Sequence, residues 1–378
     1  KTGKCKALIV TGCMAQRYKE EITQEIPEVD AVLGTTSYGD IVKALNEAQA
    51  GHVFQEFRDI NELPEDSGRR VLTTGGHFGY LKIAEGCDKH CTYCIIPSLR
   101  GKFRSVPEER LLAQAEYMAS QGVKELILVA QETTVYGTDL YGKKTLHILL
   151  KKLCQIKGIR WIRVLYCYPE EIYDELIQVM KEEKKICNYL DLPIQHASDR
   201  ILKRMGRRTT RKQLEDIIAK LRREIPDIVL RTSLITGFPG ETQEDHEELM
   251  EFVDEMEFDR LGVFTYSPEE GTPAETMEGQ VPEEVKEERR DELMSLQQEI
   301  SLEKGDERIG QELLVMIEGK VSGESAYIAR TYADAPKVDG YIFVQTGELL
   351  VTGDFARVRV TGALEYDLIG ELADEYTE

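Results

Sequence analysis

Three of the eight cysteines in this 378-residue sequence lie within eight residues of one another, at Cys87, Cys91 and Cys94. The C-x3-C-x2-C spacing puts three thiolates on one short loop, where they cannot all pair as disulfides. Cysteine thiolates are the usual ligands of iron–sulfur clusters. A cubane cluster with only three protein ligands keeps one iron open to another molecule. The spacing therefore predicts a cluster-binding loop with one accessible iron.

Two other interpretations of the triplet are weaker. Structural zinc also uses cysteine thiolates, but zinc loops usually occur as paired C-x2-C units, and the sequence has no second pair. Three unrelated core cysteines would be flanked by apolar residues, whereas Asp88, Lys89 and His90 are polar. An iron–sulfur loop is the favoured interpretation.

The charge balance restricts the class of partner. With 48 basic and 69 acidic residues, the formal net charge is −21. Nucleic-acid affinity depends on Lys and Arg neutralising phosphates, so direct nucleic-acid binding is not expected, and a basic protein or a small molecule is favoured. No stretch is long and apolar enough to span a membrane, and no signal peptide is visible. Eight cysteines in so long a chain do not resemble a disulfide framework, which favours a reducing cytoplasm.

The triplet follows the first strand of a regular alternation. From Gly79 onward, strand-like and helix-like patterns alternate six times, which predicts parallel strands with right-handed crossovers. The expected fold class is therefore α/β, with a partial parallel (β/α)6 barrel whose active site lies at the carboxyl ends of the strands. The predicted strands are Tyr80–Ala84, Glu125–Ala130, Trp161–Leu165, Tyr189–Pro193, Val229–Leu234 and Arg260–Phe264. The predicted helices are Pro107–Gln121, Leu146–Lys157, Glu170–Lys184, Arg211–Glu224 and Gln243–Met256.

Two smaller units are expected on either side of this barrel, which covers residues 75–304 and ends in a long charged helix. Residues 1–60 are interpreted as the C-terminal part of a truncated α/β domain, and residues 61–74 as a linker. Residues 306–374 show short strands separated by glycine-rich turns, which predict a small antiparallel β-barrel. The long helix that ends the barrel unit is predicted at Val281–Lys304. The predicted elements of the two smaller units are strands Lys6–Val10, Val29–Leu33, Glu312–Ile317, Tyr327–Arg330, Gly340–Val344 and Phe355–Val360, and helices Ala15–Glu25 and Ile41–Ala48.

Other polar loops are expected at the same end of the barrel as the cysteines. Each has a simpler explanation by itself, since Gln195 and Ser198 could cap the next helix, and Gly237 and Gly240 could form a turn. Several such loops on one rim predict a ligand site. The loops are residues 131–134, 193–199, 236–242 and 266–272. Cys13 also follows a strand, so it lies either beside a ligand or in the core.

These motifs resemble those of a known family. A C-x3-C-x2-C loop with Tyr93 before its last cysteine is similar to that of the radical-SAM superfamily. Three segments resemble the methylthiotransferases within it, a family that joins an N-terminal cluster domain, a radical-SAM barrel and a C-terminal TRAM barrel. They are Tyr80-Leu81-Lys82-Ile83-Ala84-Glu85-Gly86-Cys87, Pro193-Ile194-Gln195-His196-Ala197-Ser198-Asp199 and Gly237-Phe238-Pro239-Gly240-Glu241-Thr242.

Within that family, the segment from Gln131 to Tyr141 resembles the RimO branch, because Glu132 stands where the tRNA-modifying branch has asparagine. The resemblance implies addition of a methylthio group to the β-carbon of an aspartate in ribosomal protein S-twelve. Residues 306–378 carry 6 basic and 15 acidic side chains, so the TRAM barrel would suit a basic ribosomal protein. A tRNA methylthiotransferase and a non-catalytic iron–sulfur scaffold with a docking barrel are the alternatives.

The resemblance also implies a set of ligands. Cys87, Cys91 and Cys94 would hold a 4Fe-4S cluster that binds S-adenosylmethionine and, with an electron from a reductant protein, yields the radical that attacks the substrate. Expected cofactor-binding residues are Gln195, Ser198, Gly237 and Glu241. Cys13 would be one ligand of a second 4Fe-4S cluster that carries the sulfur. The segment expected to carry its other two cysteines is not in this sequence, so we expect an N-terminally incomplete chain that lacks the second cluster.

Overall fold

The computed structural model describes residues 3–64 and 71–373, in three units. The first unit is a parallel sheet in the order β1-β2-β3 with two helices. The third strand was not predicted, because it is only three residues long and lies in a polar stretch. Six residues of the predicted linker, 65–70, lie outside the described residues. The elements of the first unit are β1 (Ile9–Thr11), α1 (Cys13–Glu25), β2 (Ala31–Leu33), α2 (Ile41–Gln49) and β3 (Phe54–Glu56).

The second unit is the predicted partial barrel. Its six long strands are all parallel, in the order β11-β10-β9-β8-β7-β4, while β5 and β6 form a separate two-stranded antiparallel ribbon. Its elements, in chain order, are β4 (Phe78–Lys82), β5 (Ala84–Glu85), α3 (Ile96–Arg100), β6 (Arg104–Ser105), α4 (Glu108–Ser120), β7 (Glu125–Val129), α5 (Thr138–Tyr141), α6 (Leu146–Cys154), β8 (Trp161–Val164), α7 (Asp174–Glu182), β9 (Ile186–Asp191), α8 (Asp199–Arg204), α9 (Arg211–Glu224), β10 (Val229–Thr236), α10 (Gln243–Met256), β11 (Arg260–Thr265) and α11 (Glu283–Asp306).

Helix starts in this unit follow from local chemistry. Thr210 and Thr242 each form a capping box, in which the threonine hydroxyl accepts from the N3 backbone N–H and the N3 side chain accepts from the cap N–H. Both α9 and α10 begin where the sequence predicted. By contrast, α7 begins at Asp174 rather than Glu170, because residues 169–171 form a 3₁₀ turn that opens with Pro169. No helix within the described residues is long and apolar enough to cross a membrane.

The third unit is a closed barrel in the order β12-β13-β14-β16-β15. Four of its strand pairs are antiparallel, as predicted, whereas β14 and β16 pair in parallel and close it. The last strand was not predicted. The strands are β12 (Glu312–Lys320), β13 (Ala326–Arg330), β14 (Ile342–Gln345), β15 (Phe355–Ala363) and β16 (Leu368–Leu372).

The small barrel closes the amino-terminal end of the large one. A shared apolar cluster joins Trp161, at the start of β8, to Phe355 of the small barrel, whose rings meet edge to face at 4.9 Å. Ala333 and Ala335, in the loop that follows β13, belong to the same cluster. Residues 331–339 therefore seal the floor of the large barrel, opposite the end that carries the cysteine loop.

Buried charges reinforce this floor. Glu125, the first residue of β7, accepts from Arg163 Nε at 2.8 Å and from Arg330 Nη2 of the small barrel at 2.7 Å. All three side chains are fully buried. Arg163 also donates to the Tyr332 carbonyl, and Arg330 to Glu318 Oε1 at 2.6 Å. A buried charge is tolerated only when it is paired and hydrogen-bonded, so this network holds the two barrels in one arrangement.

Candidate active site at the carboxyl ends of the barrel strands

The cysteine loop follows the first barrel strand after Gly86, a position that only glycine can occupy. Gly86 has φ of 79°, and a Cβ there would collide with the carbonyl oxygens of Gly101 and Lys102. Its N–H donates to Gln131 Oε1 at 2.8 Å, which ties the loop to the end of the next strand. On the other side, the Thr92 N–H donates to the Met205 carbonyl at 2.9 Å. The loop is thus held between three segments of the barrel mouth.

The three cysteines are free thiols in this loop. Cys87 and Cys91 are buried and Cys94 is half-buried. Burial raises the pKa of Cys87 to about 11 and also raises the pKa of Cys94, whereas binding to iron would favour the thiolates. Among the described residues, no three His, Cys, Asp or Glu side chains are grouped closely enough to hold one metal ion. Each thiolate of a cubane binds its own iron, so cluster ligands lie further apart than the ligands of a single ion.

Cationic and aromatic side chains lie beside the three cysteines. The Tyr168 hydroxyl is 3.7 Å from Cys91 Sγ, and the guanidinium of Arg207 stacks over the Tyr168 ring at 4.4 Å. The ammonium of Lys89 lies 4.9 Å from the same ring and pairs with Glu171. Neither Tyr168 nor Arg207 was predicted from the sequence. Their only sequence signal is position, since Tyr168 lies four residues after the end of β8 and Arg207 three residues after the end of α8.

Glu132, the residue used to assign the branch, is a buried carboxyl at the mouth. One oxygen accepts from the backbone N–H and the hydroxyl of Thr134, while Oε2 has no partner within the described part of the chain. Burial raises the pKa of Glu132 to about 7, and the charge of Lys89 partly opposes the rise. Glu132 is therefore placed to exchange a proton near neutral pH.

The predicted cofactor residue Gln195 has an unusual backbone. Its φ is 73°, and its N–H and carbonyl bond to Ser233 and Ile235 of the neighbouring strand β10. The side chain is half-buried at the rim. A left-handed conformation is strained for a residue other than glycine, so the surrounding loop must hold it in place.

Ser198 and Glu241 instead have partners inside the protein. The Ser198 hydroxyl does not cap α8 but donates to Asp245 Oδ1 of α10 at 2.7 Å. Glu241 accepts from Arg289 Nη1 at 2.9 Å and from the Phe238 N–H at 3.0 Å, and burial raises its pKa to about 7. Both residues are buried, so their contact with a cofactor stays a prediction.

Gly237 is required by packing. It has φ of 68°, and a Cβ there would collide with the side chain of Lys286 on α11. Lys286 donates to the Tyr266 carbonyl at 2.8 Å, which joins α11 to the loop after the last barrel strand. A role for Gly237 in cofactor binding also stays a prediction.

Cys13 lies at the start of α1, apart from the triplet. It accepts from Arg100 Nε at 3.3 Å, and Arg100 pairs with Glu85, two residues before Cys87. In the same helix, Arg17 forms an ion pair with Glu269, in the loop after β11. The first unit is therefore anchored on both sides of the barrel mouth, and Cys13 contacts Arg100 of α3, the helix that follows the cysteine loop. Cys154, Cys167 and Cys187 are buried, and Cys187 lies within β9.

Family models match two of the three units. The model described as the Radical SAM superfamily matches residues 81–253, and the TRAM domain model matches residues 309–373. Together with the six parallel strands and the cysteine loop, these matches define a radical-SAM enzyme with a TRAM domain. Enzymes of this superfamily use a 4Fe-4S cluster and S-adenosylmethionine.

Curated relatives identify the branch of the radical-SAM superfamily. A "Ribosomal protein uS12 methylthiotransferase RimO" of Lachnoclostridium phytofermentans is 62% identical over 98% of this chain and 84% of its own length. Proteins of the same name from Clostridium botulinum strain Langeland and Clostridioides difficile are each 49% identical, over 100% and 99% of this chain and 84% of their own length. The chain belongs to the RimO branch of the radical-SAM methylthiotransferase family.

Proposed function

We propose that this protein adds a methylthio group to the β-carbon of an aspartate in ribosomal protein uS12. The observation that carries the proposal is the 62% identity to a relative of that name over 98% of the chain. Glu132 supports the same branch rather than the tRNA-modifying one. The substrate places the reaction in the cytoplasm.

Cys87, Cys91 and Cys94 are the proposed ligands of the radical-generating cluster. They fit it because three free thiols occupy one loop at the barrel mouth, with Arg207 and Lys89 beside them to offset the charge of the thiolates. When bound, the cluster supplies the electron that cleaves the sulfonium of S-adenosylmethionine. The Tyr168 hydroxyl is placed to donate to Cys91 Sγ, which would stabilise that thiolate.

Gln195 is the strongest of the four proposed cofactor-binding residues. Its side chain is half-buried at the rim, whereas the polar groups of Ser198 and Glu241 already bind Asp245 and Arg289. We propose that Ser198, Gly237 and Glu241 shape the cofactor site mainly by fixing the loops after β9 and β10. Closed at its floor by residues 331–339, the barrel would admit the cofactor and the substrate only through the cysteine end.

Cys13 is proposed as one ligand of the second cluster. Its support is position, since Cys13 accepts from Arg100, which in turn pairs with Glu85, two residues before Cys87. A reductant protein would supply electrons, and a basic ribosomal protein would be the macromolecular partner.

Anaerobic reconstitution tests the cluster assignment. Wild-type protein with iron, sulfide and reductant should form 5′-deoxyadenosine from S-adenosylmethionine. Cys91→Ala should lose iron, sulfide and this product, because two thiolates hold a cubane poorly. Cys154→Ala, which changes a buried cysteine of α6, is the matched control and should retain all three. Normal product formation by Cys91→Ala would contradict the assignment.

Mass spectrometry of the reaction products tests the substrate. Full-length enzyme should add a methylthio group to uS12 and leave tRNA unmodified. A methylthio gain on tRNA alone would refute the proposed substrate.

A further inference from the structure

A groove of about 860 Å³ runs along the outer face of the barrel, between α10 and α11. Half-buried Met250 and Leu296 contribute apolar surface to it. Of the ten described residues that line it, five are acidic and none is Lys or Arg. The groove therefore combines an apolar surface with a strongly negative rim.

The groove begins at the barrel mouth. Near the mouth, Glu241 binds Arg289, and further along, His246 Nε2 binds Glu292 at 2.7 Å. Beyond the end of α10, Gln297 of α11 donates to the Phe258 carbonyl. These contacts follow the same order along both segments, so α10 and α11 run side by side in the same direction. Glu288 and Glu299 are 11 residues apart on α11, which corresponds to roughly 17 Å along a helix. That length accommodates about five residues of an extended peptide.

Several charges on this rim are not neutralised by the protein. Within the described residues, Glu288 and Glu299 are exposed and form no ion pair, and the only side-chain partner of Glu247 is the neutral amide of Gln243. The other two acids of the rim are paired, Asp291 with Arg290 and Glu292 with His246. The remaining three charges repel one another and favour a cationic ligand. The same charges disfavour an RNA backbone.

We propose that this groove docks a lysine- and arginine-rich segment of the ribosomal-protein substrate while the target aspartate enters the barrel mouth. The inference rests on the proposed function, because a protein that binds ribosomal RNA must itself be basic. Apolar stems of Lys and Arg would lie on Met250 and Leu296 while their charged ends meet the glutamates. The groove thereby orients the substrate by a surface of the radical-SAM barrel, separate from the acidic TRAM barrel.

Equilibrium binding of fluorescently labelled uS12 to full-length holoenzyme tests the groove. The triple variant Glu247→Gln/Glu288→Gln/Glu299→Gln should weaken binding about tenfold, since exposed charge pairs contribute modestly each. The loss should shrink as salt is raised. Formation of 5′-deoxyadenosine without protein substrate should stay at the wild-type rate, because these side chains are exposed on the outer face of the barrel.

Glu109→Gln/Glu116→Gln, which changes two exposed acids of α4 that form no ion pair within the described residues, is the matched control and should bind uS12 as wild type does. Wild-type affinity in the groove variant, or an equal loss in the control variant, would refute the groove. Failure of wild-type enzyme to bind or modify uS12 would instead refute the proposed function as well.

Discussion

The floor between the two barrels makes a strong prediction about Glu125. Glu125→Gln removes the carboxylate that both Arg163 and Arg330 bind, at 2.8 and 2.7 Å. Arg330 keeps its bond to Glu318, but Arg163 keeps only neutral partners, the Tyr332 carbonyl and the Tyr189 ring. The substitution therefore leaves one buried guanidinium without a counter-charge.

The expected cost follows from that burial. Removing one partner of a buried ion pair typically lowers the free energy of unfolding by about 3–5 kcal/mol. Replacing both partners, in Glu125→Gln/Arg163→Met, should cost less than the sum of the single changes by about 2 kcal/mol, because no isolated charge remains. Glu312→Gln is the control, since its pair with Arg359 is 40–49% exposed and should contribute less than about 1 kcal/mol.

The single tryptophan gives the assay a local probe. Trp161 is 6% exposed and packs on Phe355 of the small barrel, so its fluorescence in a urea titration reports separation of the two barrels. The transition should move to lower urea in Glu125→Gln and stay in place in Glu312→Gln. Equal midpoints for the two variants would show that the buried network does not hold the interface.

Three further outcomes are expected. Burial lowers the pKa of His196 to about 3 from 6.5. The free energy of unfolding should therefore fall by about 2 kcal/mol on account of His196 as pH drops from 8 to 5. Urea titrations at the two pH values should show a decrease that is larger by this amount in wild type than in His196→Asn. Gly86→Ala should lower iron bound per chain after reconstitution, whereas Gly142→Ala, also at positive φ but in open space, should not. Thr210→Ala removes the capping box of α9 and should lower the free energy of unfolding by about 1 kcal/mol, and an unchanged urea midpoint would contradict this.

Much of the fold could be predicted from local pattern alone. The alternation of strand-like and helix-like patterns predicted the parallel strands of the large barrel, and α9 and α10 begin at the residues that their helical patterns predicted. Strands β3 and β16 could not be predicted this way. Each is short, and each exists because neighbouring strands supply hydrogen bonds to it, as β14 and β15 do for Leu368–Leu372.

The candidate site, like the fold, could be predicted only in part from the sequence. The position of the cysteine loop follows from its place after the first barrel strand. The partner of Ser198 does not, because Asp245 lies 47 residues away and meets it only when α8 and α10 pack together. Arg207 and Tyr168 likewise meet across the mouth, 39 positions apart in the sequence, and no spacing rule links them.

The charged floor has a consequence for how such proteins can be recombined. A TRAM barrel that is exchanged between relatives brings its own version of the loop at 331–339 into the large barrel. Unless it supplies an arginine for Glu125 and acids that match Tyr189 and Arg260, as Asp339 and Asp334 do here, the graft leaves unmatched charges in the interior. A functional chimaera should therefore require that the floor residues of the large barrel and those of the TRAM barrel be exchanged together. The two barrels should then be interchangeable between relatives only as a pair.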